Sequence, residues 1–180
     1  MTVKRHAGWL ATALLTVSLL GACGGSDDEP TVKPTSDAPA ATSAAPDPDG
    51  FTPEQREVAD AVQKWNAAVF SGTTDTIGTT LQGIATQKVI DGVTAAEADL
   101  EPAEYLGDVT LDVTTVTVTG DAATVEGCRD GSKATRVKKG ETEAGVGDST
   151  VGTAKLTVGL VRQDGAWLID DPRAEPVATC

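Results

Sequence analysis

Val109-Thr-Leu111-Asp112-Val113-Thr-Thr115-Val116-Thr-Val118 decides the class of this chain. Val109, Leu111 and Val113 alternate with polar residues, the period of a strand buried on one face. Val116 and Val118 alternate in the opposite phase. One extra residue near Thr114-Thr115 therefore predicts a β-bulge. Gly120-Asp121 follows as a turn, and Ala123 and Val125 open the next strand. Arg129 to Lys138 reads as a weak polar strand, and Gly140 to Gly152 as a glycine-rich loop. Leu156, Val158 and Leu160 make a third clear strand. Asp164-Gly165 is a strong hairpin signal that returns the chain through Ala166 to Ile169.

Upstream the period changes to that of a helix. Thr52 is an N-cap, Pro53 takes the first helical position and Gln55 completes a capping box. Val58, Val62, Trp65 and Val69 step by 4, 3 and 4, a single apolar stripe, and Gly72 ends it. Val89, Val93, Ala96 and Leu100 repeat that spacing before Pro102. Gly78, Gly83 and Gly92 leave open whether this region is one helix or several short ones. Helices first and an antiparallel meander afterwards give an α+β class: N-terminal helices packed on a curved antiparallel sheet of four to six strands. Residues 51–180 have the usual size of one domain.

The first fifty residues read differently. Lys4 and Arg5 precede an uncharged apolar run from Ala7 to Leu20, the length of a signal-peptide core and short for a membrane span. Leu20-Gly21-Ala22-Cys23 resembles the lipobox of bacterial lipoproteins. That resemblance implies removal of residues 1–22 and attachment of diacylglycerol to the Cys23 sulfur. The expected address is the extracytoplasmic face of the cell membrane. Two acyl chains at once suffice for stable anchoring. A plain secreted protein with a free N-terminal Cys is the alternative. From Gly24 to Gly50, five prolines among Ala, Ser, Thr and Asp bury too little surface to offset chain entropy. Residues 23–50 are thus expected to be a lipidated Cys and a disordered tether reaching at most roughly 80 Å.

Charge and composition narrow the chemistry. The 180-residue chain carries 14 basic and 27 acidic side chains, net −13, and −15 once Lys4 and Arg5 are removed. Such a surface does not suit nucleic acid. His6 is the sole histidine and lies in the expected signal segment. The mature chain then has no histidine for a general base, a Ser-His-Asp set or a zinc ligand, and no cofactor or metal is expected. Cys128 and Cys180 remain after Cys23. In an extracytoplasmic chain they read as one disulfide closing a loop of about fifty residues, with a free thiol pair as the alternative. Arg129, Lys133, Arg136, Lys138 and Lys139 form a basic run against the acidic background. It suits an anionic polymer, a lipid headgroup or an acidic partner. Protection of an edge strand explains it equally well.

Ala123-Thr-Val-Glu-Gly-Cys128-Arg-Asp130 after one hairpin and Asp164-Gly-Ala-Trp167-Leu-Ile169 after another look like the nuclear-transport-factor-2-like domains of actinobacterial lipoproteins. The resemblance covers residues 51–180. It implies a cone in which helices close a curved sheet around an apolar pocket, on a scaffold that often dimerises through its open sheet face. Some members are isomerases, dehydratases or cyclases; many are non-catalytic. The enzymes place an Asp with a His or Tyr in the pocket. Here Tyr105 is the single Tyr, expected before the first strand at the mouth, and Asp112 alternates away from the apolar face. Asp170-Asp171 is expected just past the last strand. Trp65 and Trp167 are expected in the core or lining the pocket, with Tyr105 beside them. The favoured reading is a membrane-anchored, non-catalytic binding or scaffolding module for an apolar small molecule or an envelope protein. No catalytic residue is assigned, and a homodimer is left open. The alternative is a small-molecule isomerase, lyase or cyclase using the cone pocket.

Overall fold

The computed structural model describes residues 50–180; the expected signal segment, Cys23 and the tether to Asp49 lie outside the described residues. Helix α1 spans Pro53–Ser71. A 3-10 turn at Thr74–Thr76 and a single-turn helix α2, Ile77–Thr80, precede α3, Gln87–Glu97. Five strands follow: β1 Ala103–Leu106, β2 Thr110–Thr119, β3 Ala122–Lys138, β4 Ser149–Gln163 and β5 Ala166–Val177. All strand pairings are antiparallel. β4 separates β3 from β5, while β2 and β1 share the other side of β3, one after the other. The molecule is α+β, with helices followed by a curved, open sheet of five strands.

α1 begins as its sequence dictates. The Thr52 hydroxyl accepts from the Gln55 N–H at 3.3 Å, and Gln55 Oε1 accepts from the Thr52 N–H at 2.9 Å. Its stripe is the centre of the core: Val58 and Val62 are fully buried, Trp65 is buried, and Val69 packs at the margin. They meet Val125, Leu156, Val158 and Leu160 of the sheet, with Ile169 and Leu81 closing the cluster. Gly72 ends the helix in extended backbone rather than a left-handed cap.

The second helical region is broken, as the glycines allowed. Val89 and Ile90 are buried and Val93 is half-buried, but the stripe does not continue to Ala96. α3 stops at Glu97 and Leu100 is 51% exposed. Gly78 packs closely under α3: a Cβ there would lie 2.6 Å from the Thr94 hydroxyl, which would have to rotate away.

The bulge stands where the phase of valines changes: the β2–β3 register shifts between Val113 and Thr115, and the extra Thr114 hydroxyl donates to the Glu126 carbonyl at 3.1 Å. Asp164 (φ 51°) and Gly165 (φ 82°) form the β4–β5 hairpin turn, both left-handed as a two-residue turn of this kind requires. Two expectations are corrected. Tyr105 lies within β1, not before the first strand. Asp170-Asp171 does not end the sheet: β5 continues through Pro172 and Pro176 to Val177. The prolines are tolerated because β5 is an edge strand, and a register shift between Gly159 and Leu160 absorbs Asp170.

The other edge is covered by α1. Nε2 of Gln55 donates to the Val116 carbonyl at 2.8 Å and Nε2 of Gln63 to the Leu111 carbonyl at 2.8 Å. Nδ2 of Asn66 donates to the Val109 carbonyl at 3.3 Å. These three amides satisfy acceptors on the side of β2 away from β3. A lost hydrogen bond of this type costs about 1 kcal/mol. Gln63→Ala should therefore destabilise the domain by about that much in urea unfolding. An unchanged midpoint would show that solvent replaces the amide without cost.

Cys128 and Cys180 form a disulfide-compatible pair with Cα atoms 5.9 Å apart. Cys128 lies on β3 and Cys180 beyond β5, so the tail crosses β4 on the face away from α1. The separation of 52 residues makes the link worth about 3–5 kcal/mol in the chain-entropy account. Cys180→Ser should lower stability by an amount in that range, and thiol titration of the unreduced, unfolded chain should find neither Cys128 nor Cys180 free.

Candidate functional site

The candidate site is the mouth of the space between the C-terminal end of α1 and the far halves of β3 and β4. Val69 and Phe70 come from α1, Tyr105 from β1, Arg129 and Arg136 from β3, and Ser149, Thr150 and Val151 from β4. Together they line a cavity of about 320 Å³. Phe70 and Tyr105 meet edge to face with ring centroids 4.9 Å apart. The Arg129 guanidinium lies 5.1 Å from the Phe70 centroid, a cation–π arrangement.

Arg129 is on this side because it continues the phase of Ala123 and Val125, which face α1. Arg136 is seven residues further, an odd number, and by simple alternation would face the other way. The strand is irregular between Gly131 and Thr135, and Gly152 opposite has φ +76°. That bend changes the phase. Tyr105 and Arg136 then stand as direct partners in the β1–β3 register and share the cavity with Arg129. Gly131 makes room, since a Cβ there would fall 2.6 Å from Val151 Cγ1.

The two arginines are not equivalent. Arg136 donates to Glu97 Oε2 at 3.1 Å. Arg129 has no carboxylate partner among the described residues, and its buried Nε–H has no acceptor. Burial pushes its pKa down from the ordinary value, with proximity to Tyr105 opposing. Desolvation of a half-buried cation is the cause.

The remaining members of the basic run have separate duties. Lys138 pairs with Glu101 at 2.9 Å and Lys139 with Asp75 at 2.9 Å. Lys133 is exposed at the irregularity. With Arg136 on Glu97, three of the five cations clamp the strand end to the segments carrying Asp75, Glu97 and Glu101. β3 lies inside the sheet, so edge protection is not what the run does.

The three expected pocket residues do not line one cavity: Tyr105 borders the mouth, and Trp167 borders a separate hollow beside Lys64 and Ile84. Trp65 (8% exposed) and Trp167 (7%) are packed in the core, each with an unpartnered buried Nε1. Arg162 lies 5.1 Å over the Trp167 ring and pairs with Glu54 and Glu57. Only Tyr105 lines the mouth. Sequence reasoning missed Val69 as lining, Phe70 and Val151, and treated Arg129 as surface. Phase with Val125 was the signal that could have placed Arg129 inside.

Asp170 and Asp171 are engaged elsewhere. Asp170 accepts from the Thr86 hydroxyl at 3.0 Å and pairs with Lys88 at 3.1 Å; Asp171 pairs with Arg173 at 2.7 Å. Asp112 is exposed. The buried polar side chains among the described residues are Asn66, Thr74 and Thr86. No group of three His, Cys, Asp or Glu among the described residues could hold a metal ion. The sheet face away from the helices exposes Thr117, Thr124, Glu126, Lys155 and Thr157. A wider hollow of about 630 Å³ lies there beside the disulfide, its charges balanced between Glu126, Glu175, Lys155 and Arg173.

No family model matches the chain, and no curated protein matches it. Among solved structures it is similar to the intermembrane-space region of the chloroplast protein ARC6, with 21% identity, 68% of this chain and 97% of that one covered, and a TM-score of 0.48. It is also similar to a protein of unknown function from Mycobacterium tuberculosis (17% identity, 68% and 70% covered, TM-score 0.42). A third is an NTF-2-like protein of unknown function from Shewanella oneidensis (13% identity, 67% and 98% covered, TM-score 0.41).

The acid side of the stability curve follows from the exposed carboxylates. Asp75 is held below its ordinary 3.8 by the Thr73 hydroxyl and then by Lys139. Asp130 is held below 3.8 by the Ser132 N–H, and Asp171 by Arg173. Groups lowered by folding contribute stability that is complete above their unfolded pKa and lost as pH falls through the folded one. Melting temperature should therefore fall as pH drops below about 4. Asp75→Asn combined with Asp130→Asn should flatten that fall. An equally steep decline in the double variant would place the acid sensitivity in other groups.

Proposed function

We propose that this protein is a non-catalytic binding module held at the extracytoplasmic face of a membrane by lipid on Cys23. The folded part, 51–180, takes a small, partly apolar molecule at the mouth between α1 and the β3–β4 bend. The carrying observation is Arg129: a half-buried cation facing a cavity whose other walls are mainly Val69, Phe70, Tyr105 and Val151, with no acidic side chain in the lining. Specific small-molecule sites combine apolar walls with a few placed polar groups. Trp65 and Trp167 fill the interior, which directs a ligand to the mouth. The tether and lipid then keep the site at the envelope rather than free in solution.

Two measurements test this. Cys23→Ala should abolish membrane retention and leave an unprocessed precursor; unchanged retention would overturn the anchor. Native mass spectrometry of the chain taken gently from its own host should show a small-molecule adduct on the folded protein. A bare chain under conditions that preserve other adducts would count against the binding role.

A further inference from the structure

We propose that the molecule bound at this mouth is an amphiphilic monocarboxylate, its acid group on Arg129 and its apolar body against Phe70, Tyr105 and Val151. This rests on the binding reading above and names the ligand class.

Seven residues besides Arg129 line the cavity, and none is acidic. Glu97 neutralises Arg136, which leaves one net positive charge at the mouth. A carboxylate supplies one negative charge, whereas a phosphate monoester brings about −1.5 to −2 and would stand partly unpaired. A planar guanidinium also matches carboxylate geometry in a two-bond fork.

Among the described residues none offers Arg129 an internal substitute. The Phe70 ring takes one face of the guanidinium at 5.1 Å and supplies no acceptor. Its Nε–H is buried without a partner, an unusual state for so strong a donor. The rest of the chain has many carboxylates to spare, with a net charge of −13. Three cations within ten residues of Arg129 each have one: Arg136, Lys138 and Lys139. Lys133, also without a paired carboxylate among the described residues, is exposed to water, so Arg129 is the half-buried member of the run left open to an external acid.

The hydroxyl-bearing rim fits the same class. Ser149 and Thr150 lie at the entrance and are exposed, and either can donate to the outer carboxylate oxygen. Phe70 and Tyr105, already edge to face, offer an apolar wall to an aliphatic or aromatic body. At about 320 Å³ the cavity lies at the small end of ligand sites, suited to a short-chain or single-ring acid.

The test is calorimetric titration of the purified full chain with three acids, acetate, 4-phenylbutyrate and decanoate, and with the neutral amide of each. The expected result is that 4-phenylbutyrate or decanoate binds at least tenfold more tightly than its amide and than acetate, with affinity falling as salt rises. Arg129→Gln should remove the preference for acid over amide, and Arg129→Lys should restore only part of it. Thr150→Trp, which fills the mouth and leaves Arg129 intact, should block the acid in a chain whose melting temperature is unchanged. Acid and amide binding alike, with or without Arg129, would overturn the carboxylate class and leave an apolar binding module standing. Binding of neither, or binding that survives Thr150→Trp, would remove the mouth as the site and the binding reading placed there with it.

Discussion

The structure depends on the bend in β3. A strand of 17 residues is too long to remain flat beside two neighbours, because strand twist accumulates along it. β3 resolves this between Gly131 and Thr135, where it shifts register against β4 and where its other partner passes from β2 to β1. Glycine is needed there for a reason of space. Val151 of β4 lies across Gly131, and a side chain at 131 would displace it. Gly127 has a similar constraint, since a Cβ would stand 2.5 Å from the Asp112 carbonyl oxygen. The bend curls the far end of the sheet toward the end of α1. It is also what brings residues of opposite nominal phase, Arg129 and Arg136, to one cavity.

Curling a sheet leaves edges that must be managed. This chain manages them with its helical half. On one side, Gln55 and Gln63 of α1 donate to carbonyls of β2 and Asn66 to that of Val109 just before it, while Val58, Val62 and Trp65 of the same helix fill the concave face. On the other, the segment before α3 pairs with β5: the Thr86 N–H donates to the Ile169 carbonyl at 2.8 Å, and the Ile169 N–H donates to the Ile84 carbonyl at 3.0 Å. Beyond that contact β5 carries Pro172 and Pro176, which remove donors from the exposed edge. The helices therefore do two things at once, burying apolar surface and terminating the hydrogen-bond ladder.

Elements built on local rules were legible in the sequence. The cap of α1 needs only Thr52, Pro53 and Gln55; the bulge in β2 needs only a change of valine phase; the β4–β5 turn needs only Asp164-Gly165. What was not legible depends on partners far away. Asp170-Asp171-Pro172 has the composition of a turn. It stays in the strand because Thr86 and Lys88, more than eighty residues earlier, bind Asp170. The basic run looked like one feature because its members are neighbours in sequence. Glu97, Glu101 and Asp75 divide it, and nothing local announces those pairs. The same holds for the site. Phe70 and Val151 meet only after the sheet has bent, so no spacing connects them.

Arg129 is where local rules and the folded state disagree most. A buried N–H without an acceptor costs about 1–3 kcal/mol. The cation–π contact with Phe70 returns about 0.5–2 kcal/mol. Packing alone does not ask for a guanidinium at this position: its neighbours on the same face of β3, Ala123 and Val125, are apolar, and a leucine or methionine would fill the space beside Phe70 without any desolvation cost. Arg136, Lys138 and Lys139 further along show how this chain treats positive charge when the purpose is cohesion, giving each a carboxylate within 3.1 Å. A residue that is costly to bury, unpaired among the described residues and aimed at a cavity departs from that practice. Such departures concentrate at positions kept for something other than stability.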